Sequence, residues 1–271
     1  MRIIGTGHIL QKSVDDVRNA LSEDVPDFVA VELDVRRFRV LEEVTFQPEK
    51  YKRDINFKDV LSSFVGGGSF PVFVQGVIGL LQKDLGERYG ISPGSDMCAA
   101  IVSAREMGAV VALIDRDIEV TINCLLSVPL KELFGLFTSR GGEETRIVVG
   151  LLNNDIAGLL EEENLQPIIK EFRKRLPSVY TALIDERDAY MAYMLYRLQQ
   201  QHPEKNILAV VGAGHKEGIT RYMEDIRAGY VVNVGSLTTV KKVSILKALI
   251  MAGLVFLAFI LIKTESLIRR K

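Results

Sequence analysis

Ile207-Leu-Ala-Val-Val-Gly-Ala-Gly-His-Lys-Glu-Gly218 opens with five apolar residues, breaks at a glycine turn and carries a histidine into a helical pattern. An unbroken apolar run of this length suits a strand covered on both faces of a sheet. Glycines directly behind it mark the turn. The same phrase stands at the beginning of the chain, where Ile3-Ile4 leads into Gly5-Thr6-Gly7-His8. His8 and His215 are two of the three histidines in the sequence. A strand, a glycine turn and a histidine at a helix entrance, written twice, predict two strand ends that meet at one site.

Working outward from these phrases, residues 3–5, 28–33, 110–114 and 206–211 read as four strands, and 230–234 as a candidate fifth. Ser13 stands where a helix cap belongs, ahead of Asp15 and Asp16 in the first turn of a helix reaching Leu21. Helical periodicity covers 118–137, 156–176 and 185–201, and a further helix runs from the second histidine phrase to Arg227. Residues 56–107 read as several helices broken at Gly66-Gly67-Gly68 and at Ser92-Pro93-Gly94. Strands alternating with helices predict an α/β fold with a mainly parallel sheet. The 56–107 stretch is then a helical insertion or cap within one α/β domain over 1–240.

The chain has 271 residues, 34 basic and 35 acidic side chains and a formal net charge of −1. A nucleic-acid partner would normally show as a basic excess, and none is present. Cys98 and Cys124 form neither a disulfide framework nor a paired metal motif, which points to a reducing compartment. The chain runs straight into a strand without a charged-then-apolar leader, so no secretory signal is read.

The last thirty residues differ in kind. Residues 248–262 contain no polar side chain. Extended back to Val243, the run nears the roughly 20 residues that cross a hydrocarbon core, with Lys247 close enough to its end to snorkel. Lys241, Lys242, Lys263, Arg269, Arg270 and Lys271 flank both sides, so charge does not fix an orientation. A buried or partner-packed helix is the plainer reading. The expectation is a C-terminal transmembrane helix with a basic tail over 241–271, the body being cytoplasmic.

In open parallel sheets ligands sit beyond the carboxyl ends of the strands. The predicted strands place there His8; Glu32, with Asp34 and Arg36 after it; Asp115, Arg116 and Asp117; and His215. Gly5 and Gly212 are read as positions needing unusual backbone angles, Gly7 and Gly214 as points of close approach. A histidine at a helix N-terminus is disfavoured as imidazolium, and neutral imidazole binds metal or accepts a proton. Two imidazoles and a carboxylate with an open position form a catalytic metal arrangement. Such a metal lowers the pKa of bound water to roughly 7, a second carboxylate can serve as general base, and an arginine can steady the oxyanion. Each residue also has a plainer role: a packing or capping histidine, a helix-start charge at Glu32, a salt-bridge knot of Arg116 between Asp115 and Asp117. His202, before Pro203, reads as a surface residue. Gly5-x-Gly7 lacks the third dinucleotide glycine, Gly66-Gly-Gly-Ser69 lacks a following lysine and reads as a hinge or lid, and both cysteines read as packing residues.

Five segments in order resemble the TraB/PrgY/GumN family, grouped with the Tiki metalloproteases. They are Ile4-Gly-Thr-Gly-His8; Pro26-Asp-Phe-Val-Ala-Val-Glu-Leu-Asp34 with Arg36-Arg37; Gly108-Ala-Val-Val-Ala-Leu-Ile-Asp-Arg-Asp117; Asp185-Glu-Arg-Asp188; and Val211-Gly-Ala-Gly-His-Lys-Glu-Gly218. The resemblance covers nearly all of 2–240. It implies two Gly-x-x-His motifs and a glutamate pair, matched here by His8, His215, Glu32 and Glu186, and a C-terminal membrane region. It also draws attention to Arg187. Asn123-Cys124 departs from it, where similar chains carry an arginine.

The expectation is therefore a membrane-anchored, metal-dependent hydrolase acting on a peptide or protein. His8, Glu32 and His215 would bind a divalent ion (manganese, cobalt or zinc). Glu186 would be a ligand or the base, and Arg116 an electrostatic stabiliser beside a catalytic Glu32. A homodimer fits the apolar tail. The alternatives are a metal-free histidine–glutamate hydrolase resembling the erythromycin esterases, a non-catalytic peptide- or signal-binding membrane protein and, more distantly, a dinucleotide binder.

Overall fold

A computed structural model describes residues 1–7, 11–46, 94–132, 162–240 and 247. His8, the Gly66-Gly67-Gly68 hinge, most of the expected insertion and the apolar tail apart from Lys247 lie outside the described residues. Among the described residues no helix is long and apolar enough to cross a membrane, so the expected transmembrane helix finds no support there.

In chain order the elements are β1 (Arg2–Thr6), α1 (Gln11–Asp24), β2 (Phe28–Val31), α2 (Val35–Phe46), α3 (Ser95–Glu106), β3 (Val110–Leu113) and α4 (Ile118–Ser127). There follow α5 (Glu162–Arg175), α6 (Pro177–Tyr180), a π-helical turn (Thr181–Asp185), α7 (Glu186–Gln201), β4 (Ile207–Gly212), α8 (Ala213–Arg227) and α9 (Val234–Thr238). The four strands form one sheet in the order β1-β4-β2-β3, and every pair is parallel. β4, made last, thus lies between β1 and β2.

That position explains its composition. Leu208 and Val210 pack with Val14, Val17 and Leu21 of α1 and Met97 and Ile101 of α3. Ile207, Ala209 and Val211 face the opposite way, against Met191 and Leu195 of α7 and Ile219 and Met223 of α8. All six residues of β4 are buried, each large apolar side chain contributing roughly 1.5–3 kcal/mol. The edge strand β3 is partly exposed, beginning at Val110.

Several local readings are corrected. Residues 230–233 form no strand: after Gly229, at φ +101°, the chain turns away from the sheet and Val231 is 84% exposed. Asn233 then caps α9 by accepting from the Ser236 amide at 3.2 Å. Ser13 does not cap α1, which starts earlier, and its hydroxyl accepts from the Gly7 amide at 2.8 Å. α4 ends at Ser127, because Val128 turns extended ahead of Pro129. Gly212, at φ −58° and ψ 140°, has angles open to any residue. Gly5 has no positive φ and owes its place to packing, since a β-carbon there would lie 3.0 Å from Cα of Ala213. His202 stacks on Phe28 with ring centroids 4.7 Å apart, and so is not a free surface residue.

Candidate functional site

The register that pairs Thr6 with Gly212 and Val31 with Val210 brings the carboxyl ends of β1, β4 and β2 side by side. Glu32 follows β2 immediately, and its Oε2 accepts from the Gly212 amide at 2.7 Å. The acid that ends one strand is thereby fastened to the glycine turn that ends the next. His215 lies in the first turn of α8, 8% exposed, with Nε2 3.4 Å from Glu32 Oε1. Of the expected convergence of His8, Glu32 and His215, this pair lies among the described residues and His8 does not.

Around them is a buried charge network from three further elements. Arg187, on the first turn of α7, donates through Nη2 to Glu32 Oε1 and, at 2.6 Å, to Asp115 Oδ2. Its Nη1 lies 3.0 Å from His215 Nε2 and 3.2 Å from the Leu183 carbonyl. Asp115, beyond β3, also receives Arg37 Nη2 at 2.5 Å. Asp34 accepts from the Arg36 and Arg37 amides at 2.7 and 2.9 Å, capping α2, and from Arg37 Nε at 2.8 Å. Asp188 closes the network from α7, with Oδ1 2.6 Å from His215 Nδ1.

Burial and charge pull against each other here. Burial disfavours the Arg187 cation, but Glu32 and Asp115 outweigh it and hold its pKa above the ordinary value. Burial would raise the Asp115 carboxyl, yet Arg187 and Arg37 bring it below the usual range. Arg37 is held up by Asp115 and Asp34 against its own desolvation. At Asp188 burial wins, lifting the carboxyl to about 6 despite the opposing pull of His215.

Arg116 and Glu186 form a separate pair. The Arg116 side chain is fully buried and donates to Glu186 Oε2 at 2.8 Å, the Leu237 carbonyl at 3.0 Å, the Ala182 carbonyl at 2.9 Å and Thr121 Oγ1 at 3.0 Å. The arginine is a structural tie, but not with its flanking aspartates: its ion pair is with Glu186, while Asp115 takes Arg37 and Arg187 and Asp117 takes Arg36. Glu186 also lines a cavity of about 360 Å³ whose wall includes Cys124, Val128, Pro129, Pro177 and Ala182. Cys124 is buried and packs with Val120 and Ala182.

The structure thus joins Glu32 to His215 and Glu186 to Arg116. Sequence reasoning gave no role to Asp188, because that residue sits on a helix and not at a strand end. Arg37 likewise entered only within a quoted phrase.

The Glu32–His215 pair fits part of a metal centre. Two donors sharing one ion at roughly 2.1 Å and a near-tetrahedral angle stand about 3.4 Å apart, which is the observed Nε2–Oε1 separation. A carboxylate behind Nδ1 is the usual support of a ligating imidazole. Among the described residues no third donor completes a group, and Arg187 already lies against both His215 Nε2 and Glu32 Oε1.

The model of the TraB/PrgY/gumN family matches residues 139–233, which include Glu186 and His215. An uncharacterized protein of Methanocaldococcus jannaschii is 34% identical over 244 residues, covering 89% of this chain and 57% of the relative. TraB domain-containing proteins of Bos taurus and Homo sapiens are 24% and 22% identical, each match covering 81% of this chain and 61% of the relative. The chain spans about three fifths of the length of these relatives.

Proposed function

The chain belongs to the TraB/PrgY/gumN family, and from that premise we propose that it is a membrane-associated hydrolase cleaving peptide bonds at the Glu32–His215 centre. The observation that carries this reading is a buried imidazole with Nδ1 on a carboxylate and Nε2 facing a second carboxylate, at the sheet edge where parallel folds bind ligands.

In this reading Glu32 and His215, with His8 as the expected third ligand, hold a divalent ion. Such an ion, when bound, would supply an activated water near neutral pH and polarise the scissile carbonyl. The backbone amide of Gly212 fixes Glu32 through Oε2, and Arg187 donates to its Oε1, a contact that an ion would have to displace or share. Arg116 holds the Glu186 carboxylate at the cavity wall, where a substrate chain lying in the cavity would meet it as a general base. The 243–262 run anchors the body to the cytoplasmic face of a membrane.

A second reading is favoured by Arg187. Its Nη1 already presents positive charge 3.0 Å from Nε2. A hydrolase could use that guanidinium where the first reading uses an ion, with His215 taking a proton from water.

One preparation separates the two. The full chain is purified without chelator, its bound metal quantified, and hydrolysis of a peptide library followed before and after chelation and in Glu32→Gln and His215→Ala. Stoichiometric metal, with turnover abolished by chelation and by both substitutions, supports the first reading. Turnover that survives chelation but not the substitutions supports the second. Absence of turnover under all metals supplied rejects both.

A further inference from the structure

We infer that Asp188 is the positioning residue of His215 and that Gly218 is glycine in order to admit it. The inference rests on His215 being the working imidazole, as proposed above. Asp188 lies on α7 with its side chain 1% exposed, and its Oδ1 stands 2.6 Å from His215 Nδ1 on α8. The other ring nitrogen faces Arg187 Nη1 at 3.0 Å. A guanidinium can only donate, so Nε2 is the acceptor and the ring proton belongs on Nδ1, donated to Asp188. That contact takes the Nε2 lone pair, and Glu32 Oε1 stands 3.4 Å from the same nitrogen. Without Asp188 a buried Nδ1–H would have no acceptor, and the alternative Nε2–H form would set two donors against each other at Arg187.

Room for this pair is made at one position. A β-carbon at Gly218, three residues after His215 on the same helix, would lie 1.9 Å from Asp188 Oδ2 and 2.7 Å from its Cγ. Both are far inside contact distance, and both atoms belong to a short side chain pinned by its bond to His215. Glycine is among the poorest residues for a helix interior, and α8 runs from Ala213 to Arg227 with Gly218 well inside it. Helix propensity therefore gives no reason for glycine there, whereas the Asp188 carboxylate does.

The test uses the full chain labelled with nitrogen-15. Long-range proton–nitrogen correlation of the imidazole reads which nitrogen carries the proton, and calorimetric titration with manganese or zinc reads affinity. The native protein is expected in the Nδ1–H form. Asp188→Ala should leave the Nδ1 proton without its acceptor, moving its resonance upfield and speeding its exchange with water, and weaken metal binding by roughly 10- to 100-fold. Asp188→Asn, which retains an acceptor oxygen, should restore the bonded Nδ1 proton and recover part of the affinity. Gly218→Ala should reproduce the effects of Asp188→Ala, and adding it to Asp188→Ala should bring no further change in that proton. A native Nε2–H form overturns the inference without any variant. So does a folded Asp188→Ala, or a folded Gly218→Ala if the former does not fold, with the Nδ1 proton resonance and the affinity unchanged. A native protein that binds neither ion counts against the metal-dependent reading alone, since the Nδ1 proton still decides the role of Asp188.

Discussion

Asp115 and Asp188 are both buried carboxylates of the same network, yet their surroundings drive them in opposite directions. Asp115 has two guanidinium partners that overcome its desolvation and lower its pKa. Its contribution to stability is complete above the ordinary value of 3.8 and is lost as pH falls through the lower folded value. Asp188 has an imidazole in place of a guanidinium, and burial raises its pKa to about 6. Between the unfolded value of 3.8 and about 6 the native state binds the extra proton, so the Asp188 contribution declines as pH rises through that window. Urea unfolding measured from pH 4 to pH 7 should show the native protein losing stability relative to Asp188→Asn as pH increases. Parallel profiles for the two proteins would contradict the raised value. These two aspartates also mark how far single residues could be read. Asp115 was legible because it terminates a strand, whereas Asp188 lies on a helix face and its role follows only from the approach of α7 to α8.

At the scale of elements, Arg116 connects pieces of the chain that local pattern keeps apart. Its guanidinium reaches Thr121 on α4, the Ala182 carbonyl in the π-helical turn, the Leu237 carbonyl on α9 and Glu186 at the start of α7. Arg116→Met would leave two carbonyls short of a donor and remove the Arg116 partner of Glu186. A loss of about 3–5 kcal/mol is expected, read from chemical unfolding; a change below 1 kcal/mol would show that water replaces the guanidinium without penalty. The long helices were legible from periodicity, and α7 begins within a residue of its expected start. The π-helical turn ahead of it had no signal, because 177–184 fell between the two helical patterns and nothing in Thr181-Ala-Leu-Ile-Asp185 marks a wide turn. Wide turns of this kind occur mostly as single insertions in α-helices and often at functional sites. Here the turn carries the carbonyls of Ala182 and Leu183 that receive Arg116 and Arg187. The supposed strand over 230–234 failed for the converse reason: Tyr-Val-Val has strand composition, but Gly229 and Asn233 impose a turn and a cap.

For the whole molecule, the parallel α/β character was legible from strand–helix alternation, and the unbroken apolar run of β4 marked it as central. Strand order was not legible, since no local pattern says that the fourth strand enters between the first two. The repeated glycine–histidine phrase came nearest, by predicting that the ends of β1 and β4 meet, as their register shows. This order governs how the molecule can be made. A chain emerging from the ribosome presents β1 and β2 long before the strand that bonds to both, so their inner edges stay unpaired until residues 207–212 appear. N-terminal parts of a nascent chain normally fold first, but here the earliest strands must wait for nearly the latest. Chains halted at Asn206 should be digested rapidly by proteases that leave the completed domain intact, and compact, resistant fragments would show that the sheet can close without its middle. Until β4 emerges, the edges of β1 and β2 that face it stay open to pairing with other chains.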